Sequence, residues 1–197
     1  MIYYYICVII KTDAMITFKD LNNISDVIKF PEKLEADIRA TEVPAALFGF
    51  VLNRNVRGMR LSQLVDFAAC EDHFSVVRTV VHDFICQDIT DGEIENCDAF
   101  ELMRYVYLVT DEVQKINELF QSIQPEQTAE ELMARPPQFG VMGLVDYAMK
   151  RFGLHCYDDA LQLKAIEVWQ AMKIDNETAA YQRRLQAIYN RKSNKNR

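Results

Sequence analysis

Apolar positions recur every three or four residues through most of this chain, which is the spacing of amphipathic helices rather than of half-buried strands. Residues 17–30 carry Phe18, Leu21, Ile24, Val27 and Ile28, a spacing that predicts one short or broken helix. Pro31 is followed by Glu32, Glu35 and Asp37, and acids after a first-turn proline favour a helix start. A helix over about 31–39 is predicted there, carrying Leu34 and Ile38. Pro44 can open another, and AALFGFVLN (45–53) is apolar nearly all round, which predicts a buried helix. NRNVRG (53–58) reads as a basic loop.

Residues 61–87 hold two apolar faces, the first on Leu61, Leu64, Val65, Ala68 and Ala69, the second on Phe74, Val77, Val80, Val81, Phe84 and Ile85. Glu71-Asp72 between them is a candidate start for a second helix, and DITDGE (88–93) reads as a turn. Asp98 with Glu101 three residues on resembles a capping box, and Leu102, Val106, Val109, Val113, Ile116, Leu119 and Phe120 extend a helix to about residue 122. Gln124-Pro125 stops it. Thr128 and Glu131 form a second box before the rigid Arg135-Pro136-Pro137 break. Beyond that break three helices are expected. The first runs over 139–152 and is closed by Gly153 in a left-handed cap; the second runs over 157–172. The last, capped by Asp175 or Asn176, has a thin seam of Ala180, Leu185, Ile188 and Tyr189.

The expected fold class is therefore all-α: a multi-helix bundle of about seven to nine short to medium helices, as one body or two helical subdomains, with no sizeable sheet. Scarce glycine (6) and proline (5) agree, because a β fold of this length needs many tight turns. The expected organisation is a leader (1–14), an N-terminal helical part (15–135), a C-terminal helical part (136–192) and a disordered basic tail (193–197). The leader MIYYYICVII is too short to span a bilayer and lacks a basic flank and a cleavage site. Its Tyr, Ile and Val suit a strand, but patterned sequence begins only at Met15, and translation is expected to start there.

Charge changes the picture. The net charge is −7, yet the six basic residues from Gln182 onward stand without a single acid, leaving 16 basic against 29 acidic residues elsewhere, a net −13. An acidic body repels nucleic acid and anionic membrane, so neither is the expected partner. The basic end, with Tyr181 and Tyr189 interleaved, could still meet nucleic acid or an acidic protein; the plainer reading is a solvated terminus. Five cysteines, odd in number and scattered, suit a reduced, cytoplasmic setting.

Catalytic constellations are weak. Cys70, His73, His82 and Cys86 have zinc-ligand chemistry, but on one helix they point at about 0°, 300°, 120° and 160° and span roughly 24 Å. Buried free cysteines and half-buried histidines are the common case and the expected reading. Adjacent pairs such as His155 and Cys156 do not make a nucleophilic site, and the glycines form no phosphate loop. The acid pairs Asp88/Asp91, Glu130/Glu131 and Asp158/Asp159 suit helix starts. No enzyme, cofactor or metal is expected.

Helices bearing Met and aromatic residues can leave an apolar patch for a partner, with Met142, Met149, Phe152, Trp169 and Met172 as candidates; the competing reading makes them simple core. Here the strings FGVMGLVDYAMKRFG (139–153) and EVWQAMKIDNETAAYQRRLQAIYNRK (167–192) resemble the small helical tail assembly chaperones of long-tailed phages. The resemblance covers about sixty residues, under a third of the chain, and rests on an aromatic-glycine opening, a bulky apolar helix and a Tyr-x-Arg-Arg exit. It implies a non-enzymatic protein in the host cytoplasm that coats an extended helical client, the tape-measure protein, in many copies. Phe139, Met142, Met149 and Trp169 are then the expected apolar contacts, and Arg183, Arg184 and Arg191 the charged ones. The rival expectations are a virion structural or connector protein, and a small regulatory protein binding nucleic acid through the basic end; self-association is also open.

Overall fold

A computed structural model describes residues 17–19, 32–123 and 140–195. The fold is mostly helical. The described residues contain eight α-helices, one short 3-10 turn and a two-stranded hairpin. They are α1 (Glu32–Ala40), β1 (Ala46–Leu47), β2 (Phe50–Val51), the 3-10 turn (Val56–Gly58), α2 (Leu61–Ala68), α3 (His73–Phe84), α4 (Asp91–Glu95), α5 (Ala99–Ser122), α6 (Gly140–Phe152), α7 (Tyr157–Leu161) and α8 (Ala165–Lys195). This is the all-α bundle that the periodicity predicts. No helix among the described residues is long and apolar enough to cross a membrane. Most of the segment 17–30, the helix after Thr128, the Arg135–Pro137 break and the leader lie outside the described residues.

The described residues fall into two compact units, one from Met1–Val56 and Ala69–Glu112, the other from Arg57–Ala68 and Val113–Arg197. In the first unit the stripe of α5 supplies the core. Leu102, Tyr105, Val106 and Val109 are buried, as are Ile38 of α1 and Val77, Val80 and Val81 of α3. Tyr105 has no exposed surface, its hydroxyl donates to the Asn53 carbonyl at 3.1 Å, and burial pushes its pKa up to about 12. Phe18 stacks on Phe74 with centroids 6.1 Å apart, and its N–H donates to the Cys97 carbonyl at 3.0 Å. Arg39 donates twice to Asp111, at 2.8 and 2.7 Å, and once to Glu35 at 2.8 Å. Its guanidinium lies 4.3 Å from the Tyr107 ring centre, and the Asp111 hydrogen bonds raise its pKa further.

The helix starts follow their caps. Asp98 accepts from the N–H groups of Phe100 and Glu101, both at 2.9 Å, and so opens α5 where the sequence places it. Asp72 opens α3 as one half of a reciprocal box with Ser75, as the Glu71-Asp72 pair suggests. A like box between Thr90 and Glu93 opens α4, so the stretch read as a plain turn contains a short helix.

Residues 45–53 are a correction. They form a hairpin, not a buried helix, pairing Ala46 with Val51 and Leu47 with Phe50. Phe48 and Gly49 both take positive φ (52° and 79°), the backbone of a two-residue turn whose twist suits antiparallel strands. Leu47 and Leu52 are buried, while Val51 is 87% exposed.

In the second unit, α2, α6 and α7 pack on one another and α8 packs on α6. The expected helix over 157–172 is broken at residues 162–164. Arg60 pairs antiparallel with Lys164, the Leu61 N–H donates to the Leu163 carbonyl at 2.9 Å, and the Ala165 N–H donates to the Met59 carbonyl at 2.9 Å. Backbone groups that a continuous helix would use internally are thus committed to a neighbouring strand-like segment. The expected cap at Asp175 or Asn176 is also corrected, because α8 runs through both. Asp175 accepts from the Tyr147 hydroxyl at 2.6 Å and pairs with Arg151 at 2.9 Å, and Asn176 donates to the Ile123 carbonyl at 3.1 Å. Side chains engaged in these tertiary bonds do not compete for the helix backbone. Gly153, at φ 67°, closes α6 as predicted, with the Leu154 N–H on the Met149 carbonyl at 2.9 Å.

Candidate protein-binding surface

The second unit carries the residues of interest on α6, α7 and α8. On α6, Val145 and Ala148 turn into the core, which leaves Met142 51% exposed. The Tyr157 hydroxyl, at the start of α7, donates to the Met142 sulfur at 3.3 Å and joins the two residues into one patch. Phe152, at the C-terminal end of α6, is also exposed. A flexible thioether next to an exposed aromatic side chain gives an adaptable apolar surface.

Trp169 and Met149 are half-buried. The Trp169 indole N–H donates at 2.9 Å to the Leu119 carbonyl near the end of α5, which also accepts from the Ser122 hydroxyl at 2.6 Å. The Lys173 ammonium sits 5.4 Å from the Trp169 ring centre. Trp169 therefore anchors α8 to the end of α5. The Tyr147 hydroxyl on Asp175 adds a second tie, and burial first, then that carboxylate, pushes the Tyr147 pKa up to about 12. Phe139 lies outside the described residues.

Arg183, Arg184 and Arg191 are exposed along the second half of α8. With them stand Ile174, Tyr181, Ile188 and Tyr189, at 57%, 56%, 49% and 63% exposure. The seam read from Ala180, Leu185, Ile188 and Tyr189 thus shows two large apolar side chains to solvent. Ile174 and Tyr181 lie outside that seam. The signal that marks them is the seven-residue spacing of Ile174, Tyr181 and Ile188.

Two of the four residues with zinc-ligand chemistry have other partners. Cys70 Sγ lies 3.4 Å from the Thr79 hydroxyl, and His82 Nε2 lies 2.9 Å from the Ile89 carbonyl. Among the described residues no group of three or more His, Cys, Asp or Glu could hold a metal ion. Cys97 is half-buried next to Asp98, and burial first, then that charge, pushes its thiol up to about 11, which disfavours the reactive thiolate. Comparison with known proteins gives no match to a family model, a curated protein or a solved structure.

Proposed function

We propose that this is a non-enzymatic assembly protein that binds an extended helical client, as the tail assembly chaperones of long-tailed phages do for the tape-measure protein, and that it acts in the host cytoplasm. The observation that supports this reading is the set of large apolar side chains left exposed on α6 and α7, Met142, Phe152 and Tyr157, in the unit that also carries the basic end of α8. Exposed methionine and aromatic side chains suit the apolar face of a helix, and acid-free arginines suit acidic residues beside that face. Arg183, Arg184 and Arg191 are the charged contacts in this reading, and Met142 is the leading apolar one.

The test is a pull-down of the tagged full chain, co-expressed with its native neighbouring genes, with bound proteins identified by mass. One long helix-rich protein, recovered with many copies of this chain per client and lost on Met142→Glu, is the expected result. Recovery of nucleic acid that salt removes would replace the reading with a nucleic-acid-binding regulator. Retention of the chain in purified particles would replace it with a structural or connector role.

A further inference from the structure

The second half of α8 carries a seam that the client reading does not use. Ile174, Thr178, Tyr181, Leu185 and Ile188 follow one another in steps of four and three. At about 100° per residue they fall within a sector of about 80°. That alternation is the a/d repeat of a two-stranded coiled coil. Ile174, Tyr181 and Ile188 hold the d positions and are each about half exposed or more, while Leu185 at an a position is partly covered. Helical stability in water comes mostly from packing an apolar face, so such a seam favours a partner helix.

Charges beside the seam decide which partner fits. Glu177, Arg184 and Arg191 repeat every seven residues along one edge, at the g positions. A parallel pair of copies would lay the acid-free stretch from Gln182, with its six basic residues, against itself. An antiparallel pair sets that stretch against the beginning of the seam. Tyr181 then meets the partner's Leu185, Thr178 meets the partner's Ile188, and Ile174 is covered by the stem of the partner's Lys192. The same register puts Glu177 opposite the partner's Arg191, twice by symmetry, against one Arg184 opposite the partner's Arg184 at the axis. Each apolar member of the seam gains a neighbour and two ion pairs form for one repulsion. The seam is thus complementary to its own reverse.

We propose that α8 pairs with α8 of a second copy of this chain, as an antiparallel two-stranded coiled coil over residues 174–192. The overlap is about 28 Å long at 1.5 Å per residue, a short coiled coil, and its dimer dissociates on dilution. In the dimer Arg184 and Arg191 serve the pairing, and Arg183, at an outward f position, is the arginine of the three left for a client. Each dimer displays two Met142–Tyr157 patches, which would raise avidity for a client with repeated sites. The pairing stands on the seam alone and does not depend on the client.

Sedimentation of the full chain over a range of concentrations tests it. The expected mass rises reversibly from 22.9 kDa to twice that value. Leu185→Glu, at a partly covered position on an exposed helix face, should hold the chain monomeric with its helical spectrum unchanged. Glu177→Arg and Arg191→Glu should each weaken the dimer by about tenfold, and the double variant should restore it. A monomer at every concentration overturns the proposal, as does a dimer indifferent to Leu185→Glu. A double variant no tighter than the single ones overturns the antiparallel arrangement. A dimer that behaves as expected while the pull-down recovers no client sustains the pairing and removes the client reading.

Discussion

Helices α5 and α8 are the two longest among the described residues, at 24 and 31 residues, and they treat the same kind of pattern in opposite ways. Both carry apolar side chains at helical spacing. In α5 the stripe from Leu102 through Tyr105, Val106, Val109, Val113 and Ile116 is buried. In α8 only the first two turns, with Ala165, Val168 and Ala171, are buried, and the stripe continues into solvent at Ile174, Tyr181 and Ile188. Periodicity therefore reports that a helix has an apolar face. It does not report whether the chain itself supplies what covers that face.

The largest expected effect breaks this contrast at its strongest point. Leu102→Ala in α5 should cost about 2–5 kcal/mol of stability through lost transfer free energy and a residual cavity. Ile188→Ala, measured in denaturant at a dilution where the chain is monomeric, should change stability by less than about 0.5 kcal/mol. Similar losses at the two sites would mean that the end of α8 is covered within one chain.

A smaller effect lies at the start of α5. Asp98→Ala removes a side chain that accepts from two N–H groups, and should cost about 1 kcal/mol, with hydrogen exchange rising first at Phe100 and Glu101. The start of α8 has no such side-chain cap to lose, because its first N–H groups are held by the carbonyls of Met59 and Lys164. Lys164→Ala should therefore leave stability within about 0.5 kcal/mol. Trp169→Phe keeps a smaller aromatic ring but loses the indole bond to the Leu119 carbonyl, which retains the Ser122 hydroxyl, and should also cost about 1 kcal/mol. At a dilution where the chain is monomeric, amide exchange along α8 should divide near Asn176, slow before it and fast after it.

The least effect is in acid. The Ser75 N–H holds Asp72 below the ordinary carboxylate range, and the Thr90 hydroxyl does the same for Glu93. Their folded-state pKa values are lowered, so the stabilisation is complete above the ordinary carboxylate range and disappears as pH falls through the lowered values. Amides at the starts of α3 and α4 should lose protection in acid before those of α6, whose first turn has no acidic residue. Loosening of α6 first, seen by amide exchange against pH, would contradict this order.

Elements whose ends rest on local chemistry were legible. Asp98 placed the start of α5, Asp72 that of α3 and Gly153 the end of α6, because a cap satisfies backbone groups within a few residues of itself. The misread elements depend on distant partners. Phe48-Gly49 turned an apolar run into a hairpin, although a bulky residue at positive φ is uncommon. The backbone of Met59–Leu61 broke a helix a hundred residues away by taking up its amide and carbonyl groups. Asp175 and Asn176 look like caps in the sequence, yet Tyr147, Arg151 and Ile123 engage them. At the candidate surface, residue type marked Met142 and the arginines, but sequence could not separate exposed Met142 from Trp169, which spends its indole N–H on the end of α5.

What the sequence by itself determined is the helical class, the places of the capped ends and the uneven charge, with an acid-free run after Gln182. Each follows from interactions between near neighbours or from composition. What only the tertiary structure decided is which apolar faces are covered and where the helices stop without a cap. Burial and the capture of backbone groups depend on segments far apart in the chain, and no local pattern encodes them. The long run of α8 and the exposure of its heptad seam belong to this second kind. They also carry the surface on which a function can now be tested.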